Sequence, residues 1–164
     1  MTIADLKIGQ TLQSTDLTHP FVGRIVGLDF VGAKGKLHAT AVLYTGKSLP
    51  AARLILVGLG KRKDFRPDRL PGAFGAAARE ARRLDVSDFA ASWDIGLPEE
   101  QPGRIAAAAV EGVLLGLYRY LPFKTVDREE RKELRSFALV EPDAKRRKIL
   151  VAAASEAEAV AGAV

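Results

Sequence analysis

Hydrophobic residues along this chain follow two different periods, and the clearest patterns lie after residue 36. Leu37–Tyr44 is rich in β-forming residues, and Arg53–Gly60 contains a four-residue apolar run that glycines close. Such a run is typical of a strand buried on both faces of a sheet. Both segments are therefore predicted to be strands. Loose alternation and frequent glycine before residue 36 give only weak strand and short-helix predictions.

The period changes to that of a helix near residue 70. Asp68 can cap a helix, and Pro71 suits a first helical turn. Apolar residues then recur at helical spacing, at Leu70, Phe74, Ala77, Ala81 and Leu84. The pattern predicts a helix from Leu70 to Leu84 whose opposite face carries arginines.

Strands and helices alternate in the rest of the chain. The predicted elements are a strand near Val86–Ala91, a helix over Arg104–Tyr120, a strand at Leu134–Val140 and a helix over Asp143–Val164. Segments rich in proline or charge, Gly96–Gly103 and Asp127–Glu133, are predicted to be connecting loops. The alternation predicts a layered α/β domain with a mixed, largely parallel sheet flanked by helices.

The predicted helix Arg104–Tyr120 is apolar on nearly all sides. Gly112 and Gly116 have the small-residue spacing that lets helices approach closely, which also occurs in membrane helices. Charged residues interrupt the segment, and no run approaches the ~18–20 apolar residues that a membrane span requires. We therefore expect this helix to pack inside the protein and expect no membrane partner.

The composition is that of one globular domain. The 164 residues are 48% hydrophobic and 27% charged, which predicts a single domain over residues 1–164. Cysteine is absent, which excludes disulfides, thiolate catalysis and cysteine-based metal sites and fits a cytoplasmic location. Met1–Gln10 lacks the features of a signal peptide. An alanine-rich helical pattern continues to Val164 without a clear stop beyond Gly162, which is more typical of a cut than of a natural terminus.

The net charge of +5 is concentrated in one segment. Lys61–Arg83 contains eight basic and three acidic residues, which would attract a polyanion such as DNA at long range. The residues of this candidate polyanion site are Lys61, Arg62, Lys63, Arg66, Arg79, Arg82 and Arg83. A solvated helix face is the alternative, because aromatic residues for base stacking do not alternate with these cations.

A second candidate site is the sequence GLGK, which follows the predicted strand. Glycine-rich backbone can cradle phosphate, so Gly58, Gly60 and Lys61 form a candidate phosphate loop. The sequence matches neither of the two common glycine-rich nucleotide-binding patterns. A tight strand exit that needs flexible glycines is the alternative.

No catalytic or metal-binding set of residues is predicted. A metal or hydrolytic site needs converging ligands, or a nucleophile beside an oriented base. His19 and His38 stand alone in the sequence, without a second ligand at a characteristic spacing. Both histidines are predicted to be structural or solvent-facing.

Three segments in fixed order resemble the amino-terminal domain of leucyl (cytosol) aminopeptidases. They are Leu54–Phe65 (LILVGLGKRKDF), Leu70–Leu84 (LPGAFGAAAREARRL) and Glu111–Thr125 (EGVLLGLYRYLPFKT). The third is the most specific, because an EG pair, a short apolar helix, YRY and FKT recur together in that family. The resemblance covers the chain from Leu37 onward.

This resemblance implies a macro-domain-like fold and a catalytic metallopeptidase domain that would follow Val164. In the family that domain binds two divalent metal ions, manganese or zinc, and the full enzyme is a homo-hexamer with these amino-terminal domains at its periphery. Nothing in this chain corresponds to the family's metal-binding NTDAEGR segment. The chain is therefore expected to hold no cofactor and to be inactive by itself, with the catalytic domain as its partner.

The leading hypothesis is the non-catalytic amino-terminal domain of a cytoplasmic aminopeptidase, which serves oligomer architecture and active-site access. Two alternatives stay open. One is a polyanion-binding or DNA-binding module that uses Lys61–Arg83, since some bacterial members of the family bind DNA. The other is a macro-like domain that binds a nucleotide ligand at the GLGK sequence.

Overall fold

The protein alternates strands and helices. The structure is a computed structural model that describes residues 7–8, 24–29, 36–44, 51–92, 101–119, 134–141 and 143–161. The strands are β1 (Lys7–Ile8), β2 (Arg24–Asp29), β3 (Thr40–Tyr44), β4 (Arg53–Gly58), β5 (Asp88–Ser92) and β6 (Ser136–Val140). The helices are α1 (Leu70–Arg83), α2 (Pro102–Leu117) and α3 (Ala144–Ala161). Two 3₁₀ turns, Arg62–Asp64 and Pro67–Arg69, precede α1. The predicted α/β class is confirmed.

The predicted helices correspond closely to the observed ones. The helix predicted over Leu70–Leu84 is α1, and the helix predicted over Arg104–Tyr120 is α2. α2 begins before the predicted start because Pro102 fits the first helical turn, where a backbone N–H is not needed. The predicted loop Asp127–Glu133 and most of the first 35 residues lie outside the described part of the chain.

The predicted burial of Arg53–Gly60 on both faces is wrong. β4 ends at Gly58, and Leu54 and Leu56 on one of its faces are only partly buried. Ile55 and Val57 on the other face are fully buried in the core, where α1 packs against the strand. Close packing by the helix therefore accounts for burial of one face.

The sheet has the strand order β1-β6-β5-β2-β4-β3. Every neighbouring pair is parallel except β3 and β4, which are antiparallel. β2 is central, because Ile25 pairs with Leu54 of β4 on one side and with Ala90 of β5 on the other. The segment that links β4 to α1 therefore leaves from the carboxyl edge of the parallel strands, where α/β proteins commonly bind ligands.

The core lies between the sheet and the three helices. α2 packs between α1 and α3, and α1 also packs on β4. Three fully buried phenylalanines join these layers: the ring centroids of Phe89 and Phe137 are 4.8 Å apart, and those of Phe74 and Phe137 are 6.3 Å apart, edge to face. Such pairs add to the free energy gained by burial. Aromatic contacts thus fix α1 to β5 and β6.

Glycines bring the backbones of α1 and α2 into direct contact. A Cβ atom at Gly116 would lie 2.6 Å from the Cα of Gly75, and one at Gly75 would lie 2.9 Å from the carbonyl oxygen of Gly112. A Cβ atom at Gly112 would overlap the carbonyl oxygen of Pro71. The spacing of Gly112 and Gly116 therefore serves close packing within the core, as the sequence predicts.

The start of α3 is capped by acidic side chains. The Oδ1 atom of Asp143 accepts hydrogen bonds from the backbone N–H groups of Lys145 and Arg146, each at 2.8 Å. Oε1 of the buried Glu141 accepts one from the N–H of Asp143, also at 2.8 Å. The hydrogen bond from Arg146 is the main reason that the pKa of Asp143 lies below its usual value. These carboxylates offset the basic residues that open α3.

Gly112→Ala is expected to destabilise the protein even though alanine favours a helix. The propensity gain is at most about 1 kcal/mol. The added Cβ would overlap the Pro71 carbonyl oxygen, and overpacking of this kind costs about 1–3 kcal/mol. Urea denaturation should show a net loss of about 1–2 kcal/mol in the free energy of unfolding.

Gly103→Ala is the matched control on the same helix. Its Cβ would lie 3.5 Å from the side chains of Ala153 and Ile149, which is an ordinary van der Waals distance. The free energy of unfolding should stay the same or rise by up to about 1 kcal/mol. Equal stability of the Gly112→Ala and Gly103→Ala variants would contradict a backbone contact between α1 and α2.

Asp143→Ala should lower the melting temperature at neutral pH, because α3 loses its cap. The pKa of Asp143 is lowered in the folded state, so its stabilisation is present above the unfolded-state pKa and is lost as pH falls through the folded-state pKa. The difference from the parent protein should therefore shrink below about pH 4. Asp143→Asn, which keeps an acceptor without titrating, should retain more stability than Asp143→Ala at pH 7. Melting curves at both pH values check this.

Candidate anion-binding site

The basic segment of the sequence is divided by α1 into two separate groups. The first, here called the helix-start group, lies in the turns before α1 and consists of Lys61, Arg62, Lys63, Arg66 and Arg69. The second, here called the helix-end group, lies in the last turns of α1 and consists of Arg79, Arg82 and Arg83. A helix of this length spans about 21 Å. The cations of the sequence cluster therefore lie in two groups, one at each end of α1, and their binding of a polyanion stays a prediction.

Arg82 of the helix-end group binds the end of α2. Its Nη1 donates a hydrogen bond to the carbonyl oxygen of Leu117 at 3.1 Å. Burial, followed by the nearby charges of Arg119 and Arg79, lowers the pKa of Arg82. Positive charge at a helix carboxyl end is favourable, because it interacts with the unpaired carbonyl groups there. Arg82 thus has a structural role between the two helices.

Arg83 is held by an ion pair on its own helix. Its Nη2 and Nε donate to the two carboxylate oxygens of Glu80, at 2.6 and 2.9 Å. This side-chain hydrogen bonding lowers the pKa of Glu80 and raises that of Arg83. Arg79 makes no side-chain hydrogen bond or ion pair with the residues that the structure describes. One of the three predicted cations on this face therefore remains without a partner.

Three members of the helix-start group line an open depression. Its volume is about 400 Å³, and it is lined by Lys63, Asp64, Phe65, Arg66 and Arg69. Phe65 is partly buried and packs against the core. Three cations and one carboxylate thus share one concave surface next to the carboxyl edge of the sheet.

Gly58 of the predicted phosphate loop is engaged in the sheet. Its N–H donates to the carbonyl oxygen of Ala39 at 2.8 Å, and its own carbonyl oxygen accepts from the N–H of His38 at 2.7 Å. Gly60 has a φ of +79°, a left-handed conformation that glycine adopts without strain. The amide of Gly58 is therefore not available to a phosphate. Phosphate binding by Gly60 and Lys61 stays a prediction.

His38 joins the turn before β3 to the start of α1. Its Nε2 donates to the carbonyl oxygen of Arg69 at 3.1 Å, and its ring lies directly against Gly72. His38 has a φ of +61°, which is unusual for a residue with a side chain. The hydrogen bond to Arg69 gives His38 a structural role. It also holds the backbone of Arg69 beside the depression. His19 lies outside the described residues.

Asp88 binds a neighbouring strand within the sheet. Oδ1 of Asp88 accepts a hydrogen bond from the hydroxyl of Ser136 at 2.6 Å, which joins the starts of β5 and β6. Within the described ranges no three His, Asp or Glu residues are grouped closely enough to hold a metal ion. None of the described helices is long and apolar enough to cross a membrane.

Two arginines of this region, Arg69 and Arg119, are absent from the candidate site predicted from sequence. Arg69 lines the depression, and Arg119 lies close enough to Arg82 to affect its pKa. Arg69 follows Arg66 by three residues, and a backbone hydrogen bond from the N–H of Arg69 to the carbonyl oxygen of Arg66 brings the two residues together. That spacing was a usable signal, whereas the position of Arg119 depends on how α2 packs against α1.

The chain matches the family model described as cytosol aminopeptidase family, N-terminal domain, over residues 28–127. This match and the α/β fold define the class as the amino-terminal domain of an aminopeptidase. The chain belongs to the cytosol aminopeptidase family. The resemblance found in the sequence is thereby confirmed.

Bacterial relatives are similar over the same region. The chain is 38% identical over 109 residues to a probable cytosol aminopeptidase of Roseiflexus castenholzii, an alignment that covers 66% of this chain and 22% of that protein. It is 36% identical over 126 residues to a probable cytosol aminopeptidase of Geobacter sp. (strain M21), which covers 77% of this chain and 25% of that protein. The chain thus spans a quarter or less of the length of these two relatives.

Solved structures show a similar fold. A mutant of tomato leucine aminopeptidase superimposes with a TM-score of 0.63 at 17% identity, covering 94% of this chain and 37% of that chain. The bottromycin maturation enzyme BotP in complex with Mn gives a TM-score of 0.59 at 18% identity, covering 85% of this chain and 30% of that chain. At these identities the likeness establishes the fold alone.

Proposed function

We propose that this chain is the non-catalytic amino-terminal domain of a cytoplasmic leucyl aminopeptidase. The parent enzyme would remove amino-terminal residues from peptides with a catalytic domain that binds two divalent metal ions, manganese or zinc. This domain would serve the architecture of a homo-hexamer and control access to the active site. The observation that carries the proposal is the family match to the N-terminal domain over residues 28–127.

The extent of the similarity supports the assignment of catalysis to a second domain. The relatives are about four times longer than the matched region, so most of each enzyme lies outside it. The bottromycin maturation enzyme BotP, a structural neighbour, is described in complex with Mn. The metal-dependent chemistry of the parent enzyme would then belong to the catalytic domain that partners this one.

The chemistry of the described acidic side chains also supports a structural role. Asp88 joins two strands, Asp143 and Glu141 cap α3, and Glu80 pairs with Arg83. Each of these carboxylates already accepts hydrogen bonds from protein groups. Four parallel strand pairings and helices packed in sequence support the macro-domain-like architecture that belongs to the same proposal.

The purified 164-residue chain is expected not to hydrolyse leucyl amide substrates when manganese or zinc is added. The reason is that the metal ligands of the parent enzyme would lie in the catalytic domain. A colorimetric assay with a full-length cytosol aminopeptidase as positive control checks this. Sustained turnover that a chelator abolishes, in a preparation free of host peptidases, would refute the proposed division.

The isolated chain is expected to be a monomer or weak dimer, because the central contacts of a hexamer would involve the catalytic domain. Light scattering at micromolar concentration measures this directly. A fusion of the chain to the catalytic domain of the Roseiflexus castenholzii relative is the matched comparison and should form a larger assembly. A stable hexamer of the isolated chain would show that the domain carries the assembly contacts itself.

A further inference from the structure

Four of the cations between β4 and α1 have no bonded partner in the described part of the chain. Lys61, Lys63, Arg66 and Arg69 make no side-chain hydrogen bond or ion pair with the residues that the structure describes. Arg82 and Arg83, by contrast, are bonded to Leu117 and Glu80. The charges of these four cations are therefore available to a ligand within the part of the chain that the structure describes.

The backbone turns direct these cations toward one depression. Lys63 lies in the first 3₁₀ turn, Arg66 lies in the extended backbone between the two turns, and Arg69 ends the second turn. The N–H of Arg69 donates to the carbonyl oxygen of Arg66 at 3.0 Å, which closes the second turn. All three line the depression of about 400 Å³, beside the ring of Phe65. The site is concave, and three of its five lining residues are cations.

We propose that this depression binds a small phosphate-bearing anion through Lys63, Arg66 and Arg69. Two guanidinium groups supply paired N–H donors that match phosphate oxygens, and the lysine supplies a mobile charge. The inference does not depend on the aminopeptidase role, since it rests on the shape and charge of this surface alone.

The charge of the depression matches a phosphate monoester. Three cations and the carboxylate of Asp64 leave two net positive charges at the lining. A phosphate monoester carries about −1.5 to −2 charges at pH 7, so one such group neutralises the site. A monovalent anion such as chloride leaves it uncompensated. The site therefore favours a doubly charged phosphate.

The size of the surface favours a small anion over a nucleic acid. A duplex is bound through phosphate contacts that extend along its backbone. The helix-end group lies about 15–21 Å from Arg69 along α1, and two of its arginines are already bonded. An extended basic track across both groups is thus interrupted by structural ion pairs and caps.

The test is an NMR titration of the ¹⁵N-labelled 164-residue chain with inorganic phosphate at pH 7.5, with sodium chloride at matched ionic strength as the reference. Saturable shifts confined to the segment around Lys61–Leu70 are expected. Arg66→Gln and Arg69→Gln should each weaken binding about two- to fivefold, as expected for an exposed charge pair. Arg79→Gln, which removes an unpaired arginine from the helix-end group, should leave the affinity unchanged.

Lys63→Gln gives a second measurement at an exposed position if either arginine variant melts early. Equal weakening by Arg79→Gln and Arg66→Gln would show a diffuse attraction and overturn the site. Absence of saturable shifts with phosphate would overturn it as well. The last measurement is a titration with a short DNA duplex. If the duplex binds through the helix-start and helix-end groups equally while phosphate does not bind, the surface is a nucleic-acid site instead.

Discussion

The contact between the backbones of α1 and α2 determines how the rest of the domain is arranged. Glycine at Gly75, Gly112 and Gly116 lets the helices touch without intervening side chains. That separation places Arg82 within hydrogen-bond distance of Leu117 and lets Phe74 reach Phe137 on the sheet. Helices held further apart would lose the hydrogen bond between Arg82 and Leu117 and would weaken the aromatic contacts, because both depend on the same close approach.

Local periodicity made the helices predictable, whereas burial of the strands depended on tertiary packing. The spacing of Leu70, Phe74 and Ala77 indicated α1 to within a residue. The apolar run of β4 suggested burial on both faces, yet Leu54 and Leu56 are partly exposed. A four-residue run carries no information about which face a helix will cover, so this part of the fold required the structure.

The candidate site shows a similar limit. The sequence grouped Arg66 and Arg79 in one candidate site, whereas the structure places them near opposite ends of α1. Proximity in sequence is a poor guide across a helix, since α1 carries its two ends far apart. The engagement of Gly58 by Ala39 and His38 was also invisible, because it depends on antiparallel pairing between strands. Because of those contacts, Gly58 of the glycine-rich motif belongs to the sheet.

The strand order has a consequence for synthesis of the chain. β2 occupies the centre of the sheet, yet its neighbour β5 is made more than sixty residues later, as the pairing of Ile25 with Ala90 shows. The partner of β1 is synthesised later still, because Lys7 of β1 pairs with Ser136 of β6. Such distant pairings form slowly, because closing a long loop costs conformational entropy before the new contacts stabilise it. A ribosome must therefore complete most of the domain before its earliest strand can find its partner.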